Sequence, residues 1–281
     1  MTKTKLATFS ADDIQALQPA MKIGLLATVN PEGLPHLTLL ASLRANTPTQ
    51  LTFGQFIEGT SKGFLRQNPR AGFLVMTLDK NLWRGKATFT HTARQGPEFE
   101  LYNNQPMFRY NAYFGVHTVY YLDLVEQSGR SALPMGRMVA ASLQTMAARA
   151  VHRPAGEAMN AWTQALLNKL GNLKFLAYVD GDGYPCIVPV IQAQAAGAGE
   201  VLFAASVYGE AVKAIPRGAP AALLGMSLQM EDVLLRGEYQ GLRRVAGQQC
   251  GSIRVDWVYN PMPPTPQQVY PPLPLEPITS W

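Results

Sequence analysis

Two stretches of the chain, 150 residues apart, carry the same punctuation. In LLATVNPEGLPHLTLL (Leu25–Leu40), Leu26, Ala27, Val29, Gly33 and Pro35 hold the places of Leu176, Ala177, Val179, Gly183 and Pro185 in FLAYVDGDGYPCIVPV (Phe175–Val190). The register continues downstream. Leu51–Phe53 faces Val201–Phe203 at an offset of 150. Lys62, Arg66, Pro69 and Ala71 face Lys213, Arg217, Pro220 and Ala222 at 151, and Arg84-Gly85 faces Arg236-Gly237 at 152. Single hairpins often look alike, but ordered landmarks that slip by only two residues do not arise by chance. The chain reads as a tandem duplication: a first repeat over 1–127, a helical connection over 128–170, a second repeat over 171–260 and a proline-rich tail over 261–281.

Each copy reads mostly as strands. Ile23–Val29 and Leu34–Leu40 are apolar runs bounded by turn residues. Between them Asn30-Pro31-Glu32-Gly33 places proline's fixed φ early and glycine's freedom late, as a type I turn with a following bulge requires; Asp180-Gly181-Asp182-Gly183 can make the same reversal. Further strands are expected at Gln50–Gln55, Ala71–Thr77, Leu82–Thr90 and Gly115–Glu126. Their counterparts are Glu200–Ala205, Ala221–Ser227, Val233–Tyr239 and Ser252–Tyr259. Helices are expected at Ala11–Lys22 behind an N-cap Ser10, at Met135–Val151, and at Ala155–Leu170 ending on Gly171. The tail holds eight of the 21 prolines and reads as an extended strap. Short antiparallel strands with few helices suggest two small barrels, packed against each other as a homodimer's subunits are.

Composition removes several function classes. Hydrophobic residues make up 47% and charged ones 15%, which suits a globular chain. No apolar run approaches the ~18 residues a membrane span needs, and MTKTKLATFSADDIQ lacks the apolar core of a secretory signal. A cytoplasmic location without membrane attachment is the expectation. Cys186, Cys250, His36, His91, His117 and His152 show neither CxxC nor HExxH spacing, so no disulfide framework and no metal site are expected. The net charge of +5 is compatible with nucleic acid, anionic lipid or a phosphorylated small molecule as partner, while the scattered Lys and Arg argue against nucleic acid.

The segment FGQFIEGTSKGFLRQNPRAGFLVM (Phe53–Met76) is the most informative chemically. A strand ends, Gly59 allows a turn, and Thr60-Ser61-Lys62 open a short helix that closes before Asn68-Pro69. Free N–H groups at a helix start, two hydroxyls and an ammonium together make a phosphate cradle. The same residues also admit a plainer reading, with Thr60 or Ser61 capping the helix and Lys62 solvated.

Taken in order, LATVNPEGLPH, a strand, GTSKGFLRQNPRAGFLVM, WRGKATF and GPEFE resemble the FMN-binding split-barrel family, to which pyridoxamine 5′-phosphate oxidases and small bacterial FMN-binding proteins belong. The likeness covers Met21–Glu126 and, more weakly, Leu173–Tyr259. It implies a mainly β fold with added helices: two tandem FMN-binding split β-barrels forming a pseudo-dimer, with a further homodimer open. By position, Thr60, Ser61 and Lys62 would hold the FMN phosphate, and Gln55 would reach phosphate or ribityl. Thr38, Leu39, Leu40, Ala41 and Ser42 would lie beside the isoalloxazine ring, and Trp83 with Arg84 would approach from the WRG strand. His36, Tyr113 and His117 are either near the flavin or packed in the core. Ser61-Lys62 replaces the basic pair of true pyridoxamine 5′-phosphate oxidases, and the tail lacks their Arg-x-x-x-Arg-Leu ending, which argues against a vitamin B6 oxidase.

The copies differ at the cradle. Ala211-Val212-Lys213 replaces Thr60-Ser61-Lys62, and Pro216 falls where Leu65 sits. Proline inside a helix costs ~3 kcal/mol or more, so one competent FMN site per chain is expected, its phosphate end in the first copy and its opposing wall in the second. The resemblance implies an oxidoreductase or electron-transfer flavoprotein with an unidentified redox partner or small-molecule substrate. The alternatives are a non-catalytic flavin-binding or sensor protein, and a haem-handling or deazaflavin protein on the same barrel.

Overall fold

The structure is a computed structural model that describes residues 5–105, 115–229, 231–262 and 266–274; Tyr113 lies outside them. The first repeat runs α1 (Ala11–Ala16), β1 (Lys22–Val29), β2 (Pro35–Leu39), β3 (Arg44–Thr47), β4 (Gln50–Gln55), α2 (Thr60–Gln67), β5 (Arg70–Thr77), β6 (Asn81–Ala93), α3 (Pro97–Asn104), β7 (Thr118–Gln127) and β8 (Ser131–Ala132). Helices α4 (Met135–Val151) and α5 (Ala161–Asn168) follow. The second repeat runs β9 (Leu173–Val179), β10 (Pro185–Pro189), β11 (Gln194–Ala195), β12 (Glu200–Ala204), α6 (Gly209–Lys213), β13 (Pro220–Met226), β14 (Asp232–Val245), β15 (Gln248–Asn260) and β16 (Gln267–Tyr270).

The duplication is a duplication of topology. One sheet has the order β2-β1-β5-β6-β7-β4-β3 and the other β10-β9-β13-β14-β15-β12-β11, the same path strand for strand. Strands β8 and β16 are the additions, on β6 and β15. The chain is thus mainly β, two split barrels in tandem. The two hairpins close identically: Asn30 N–H donates to the Leu34 carbonyl (3.0 Å) and Asp180 N–H to the Tyr184 carbonyl (2.8 Å). Gly33 and Gly183 take φ of +78° and +81°, the left-handed residue that such a turn needs. Leu26, Leu51, Phe53, Phe73, Trp83 and Tyr120 fill the first barrel, with Phe53 stacked on Tyr120 at 4.8 Å. In the second repeat the matching Leu176, Val201, Phe203 and Leu224 are buried.

The repeated Arg-Gly landmark has a steric cause. A Cβ on Gly85 would lie 2.0 Å from the Glu126 carbonyl oxygen, and one on Gly237 would lie 1.9 Å from that of Arg254. Both glycines sit beside a register slip in the pairing of β6 with β7 and of β14 with β15. Gly85→Ala and Gly237→Ala should each cost at least about 1–3 kcal/mol, since backbone must move. Chemical denaturation of the single variants tests this; unchanged midpoints in both would refute the steric account.

Several expectations need correction at their ends. Helix α1 stops at Ala16 rather than Lys22, because Gln18 precedes Pro19 and Lys22 already belongs to β1. Ser10 does cap it, accepting from Asp13 N–H at 3.1 Å. Helix α5 starts at Ala161 rather than Ala155: Asn160 caps it by accepting from Thr163 N–H at 2.9 Å, and Gly156 upstream has φ +147°. It closes at Lys169 instead of Gly171. Strands β14 and β15 are longer than expected and pair through Val245 and Gln248. Within the tail, Gln267–Tyr270 pairs with β15 as a strand.

The chain divides into two compact units, Met1–Leu133 with Val179–Ile187, and Pro134–Tyr178 with Val188–Trp281. The tip of the second hairpin therefore groups with the first repeat. Among the described residues no helix is long and apolar enough to cross a membrane.

Candidate functional site

Strand β4 ends at Gln55 and the chain turns through Phe56–Gly59 into α2. Gly59 is the N-cap, in extended geometry (φ −132°, ψ 157°) and with no side-chain cap bond. Thr60 and Ser61 are thus the first helical residues rather than caps. Their hydroxyls stand where the helix's unpaired N–H groups and positive end are. Ser61 is 1% exposed. Thr60 Oγ1 lies 3.4 Å from Nε2 of the buried His36, whose ring meets Phe64 edge-on. His36 is therefore packed against α2.

Lys62 is not solvated. It is 6% exposed and folds back so that Nζ donates to the Ile57 carbonyl at 2.6 Å. Burial pulls its pKa below the usual lysine value, and the Glu58 carboxylate partly offsets this. Glu58 is the acceptor shared by its neighbours: buried Gln55 donates Nε2 to it, and Arg66 Nη1 lies 3.5 Å from it. The same Arg66 donates to the Tyr120 hydroxyl at 2.8 Å. An amide, a guanidinium and an ammonium thus gather around one loop, with two hydroxyls at its helical end. Such donors fit an oxyanion with several acceptor oxygens.

The other expected residues are placed by different elements. Thr38 and Leu39 pair with Leu26 and Leu25 at the end of β2 and are half-buried. Leu40 donates its N–H to the Gly24 carbonyl at 2.7 Å, and Ala41 is half-buried. Ser42 spends its hydroxyl on β4, accepting from Gly54 N–H and donating to the Gly54 carbonyl, both at 3.1 Å. Trp83 lies fully buried in the first core beneath the Arg130 guanidinium, and Arg84 donates to the Ile187 carbonyl at 3.2 Å. His117 Nδ1 lies 2.8 Å from Thr118 Oγ1. The structure gathers Gln55, Thr60, Ser61 and Lys62 on one loop; Trp83 and Arg84 sit on β6 instead.

Sequence reasoning missed Glu58 and Arg66. Arg66 was legible as a repeat landmark, being matched by Arg217, whereas nothing in EGTSK marks Glu58 as the hub.

The second copy lost this arrangement. Helix α6 has five residues against eight in α2, and its N-cap Tyr208 is left-handed (φ 54°). Val212 fills the buried slot that Ser61 fills in the first copy. Lys213 is half-exposed and paired with Glu210 at 2.9 Å. Among the described residues no group of three or more His, Cys, Asp or Glu is placed to hold a metal ion.

No protein-family model and no curated protein matches this sequence. Several solved structures do. The HupZ structure from Group A Streptococcus is 13% identical, with 44% of this chain and 98% of that chain covered at a TM-score of 0.36. An FMN-binding protein from Syntrophomonas wolfei is 14% identical over 43% of this chain and 83% of its own, at 0.35. An F420 reductase is 16% identical over 44% and 98%, at 0.33. Each of the three spans less than half of this chain.

Proposed function

We propose that this chain is an FMN-binding flavoprotein that holds one FMN, its phosphate at Thr60, Ser61 and Lys62. The observation that supports this best is the contrast between the loops. Where the first copy buries a lysine and a serine at an eight-residue helix start, the second has a five-residue helix, a valine and a half-exposed lysine. A helix start with a buried ammonium and hydroxyls fits a phosphate dianion. Gln55 and Arg66, which the structure pairs with Glu58, would complete the donor set on exchanging that carboxylate for the phosphate.

The strand end Thr38–Ser42 would offer backbone groups to the ring system, with Trp83 and Arg84 contributing from β6. Bound FMN would supply one- and two-electron chemistry, so the chain would act as an oxidoreductase or an electron-transfer protein. The test is an absorption spectrum of the purified protein with the released flavin counted. We expect an oxidised-flavin spectrum and one FMN per chain. Two FMN per chain, a Soret band, or no uptake of added FMN would each overturn the reading.

A further inference from the structure

The second compact unit contains a cavity of about 410 Å³ that the flavin reading does not use. It opens between the last turn of α4, the helix α5 and the end of β11 with Ala196-Gly197 beyond it. Its polar lining consists of Arg149, Arg153, Gln164 and Asn168, with no carboxylate among the lining residues. Met146 and the Ala195–Ala196 backbone segment supply an apolar side.

Donors predominate in the hydrogen-bond inventory of this lining. Arg149 Nη1 is buried and has no partner among the described residues. A guanidinium N–H can only donate, so burying it without an acceptor costs free energy. Asn168 has its Oδ1 engaged by Ala195 N–H at 3.0 Å, which leaves its Nδ2 donors for the cavity. Gln164 donates Nε2 to the Met159 carbonyl at 2.9 Å, which leaves its Oε1 as an acceptor in the lining. The nearby carboxylate of Glu200 is held by Arg243 and lies 3.3 Å from His152 Nε2, so it is engaged away from these arginines. The C-terminal end of α4 carries partial negative charge, which one arginine offsets. The second arginine is surplus.

We infer that this cavity is a binding site for a small phosphorylated molecule, separate from the proposed FMN site. Two guanidiniums and an amide donor match the acceptor-only oxygens of a phosphate group, which arginine binds in bidentate fashion. The volume lies within the usual range for small-ligand pockets, ~300–1,000 Å³. It leaves room for a short organic body against Met146 and the alanines.

Isothermal titration with glycerol 3-phosphate tests this, using the FMN-saturated full chain so that the first-repeat cradle is already filled. One site is expected. Arg149→Met and Arg153→Met should each weaken it at least tenfold, the scale of one lost charge-assisted hydrogen bond, and Lys62→Ala protein should keep it. Arg149→Lys keeps the charge without the fork and should fall between wild type and Arg149→Met, which covers the case that the methionine variant does not fold. Absence of binding, equal affinity in both arginine variants and wild type, or loss in Lys62→Ala protein would overturn the proposal. Tighter binding of succinate than of glycerol 3-phosphate would overturn the phosphate assignment.

Discussion

Replacing Lys62 with alanine should weaken FMN binding by roughly 10- to 150-fold, the worth of one charge-assisted hydrogen bond at about 1.5–3 kcal/mol. Lys213→Ala should leave the affinity unchanged. Both lysines occupy the same place in the repeat, so composition and helix register are controlled within one molecule. What differs is surroundings: Lys62 is 6% exposed on the Ile57 carbonyl, while Lys213 lies in solvent beside Glu210. Burial lowers the Lys62 pKa, so its charge is lost earlier on raising pH than an ordinary lysine's. FMN affinity should therefore begin to fall on the alkaline side before bulk lysines titrate. Fluorescence quenching titrations of the two variants and wild type, repeated across pH, measure both effects. Equal losses in the two variants would remove the asymmetry on which the single-site reading rests.

How much of this was legible beforehand follows from the kind of interaction involved. Strand positions and hairpin turns are local: Gly33 and Gly183 announce their positive φ, and the apolar runs announce β1 and β9. The Arg-Gly landmark was visible as a repeat, but its cause was not, because the carbonyls that would clash belong to Glu126 and Arg254, 41 and 17 positions away on the neighbouring strands (126 − 85 and 254 − 237). Helix ends were misjudged where a competing cap or a proline outweighed propensity, at Asn160 and Pro19. At the site, the hydroxyls and lysine could be read from spacing. The Glu58 hub could not, since its partners Gln55 and Arg66 are brought to it by the strand end and the helix together.

The hairpin tip shows the same limit most sharply, because Asp180 and Asp182 read only as turn residues. In the structure they grip Lys86, whose Nζ lies 2.8 Å from Asp180, 2.7 Å from Asp182 and 3.7 Å from Glu126. Thr88 and Tyr184 add a hydroxyl pair at 2.8 Å beside them. Burial and the two carboxylates push the Cys186 thiol up to about 11, so it stays protonated in this cluster. The Lys86 side chain is 4% exposed, whereas those of Asp180 and Asp182 are 44% and 50% exposed. Removing one side of the cluster is therefore unlike removing the other. Asp180→Asn with Asp182→Asn leaves a buried ammonium with only the Glu126 carboxylate at 3.7 Å, and should cost about 2–3 kcal/mol after discounting a fully buried pair for the solvent at the carboxylates. Lys86→Met leaves two aspartates that rehydrate, and should cost about 1 kcal/mol or less. The carboxylates are held below their ordinary values and the lysine above its own. The stabilisation is thus present above the unfolded aspartate value of about 3.9 and is lost as pH falls through the lower folded values. At the other limit it persists below about 10.4 and is lost as pH rises through the raised lysine value. Urea unfolding at neutral pH should order the variants as wild type, Lys86→Met, then the double asparagine. The gap between wild type and the double variant should shrink as acid titrates Asp180 and Asp182. A larger loss in Lys86→Met than in the double variant would mean that repulsion among Asp180, Asp182 and Glu126, freed of their shared ammonium, outweighs the cost of the unpaired lysine.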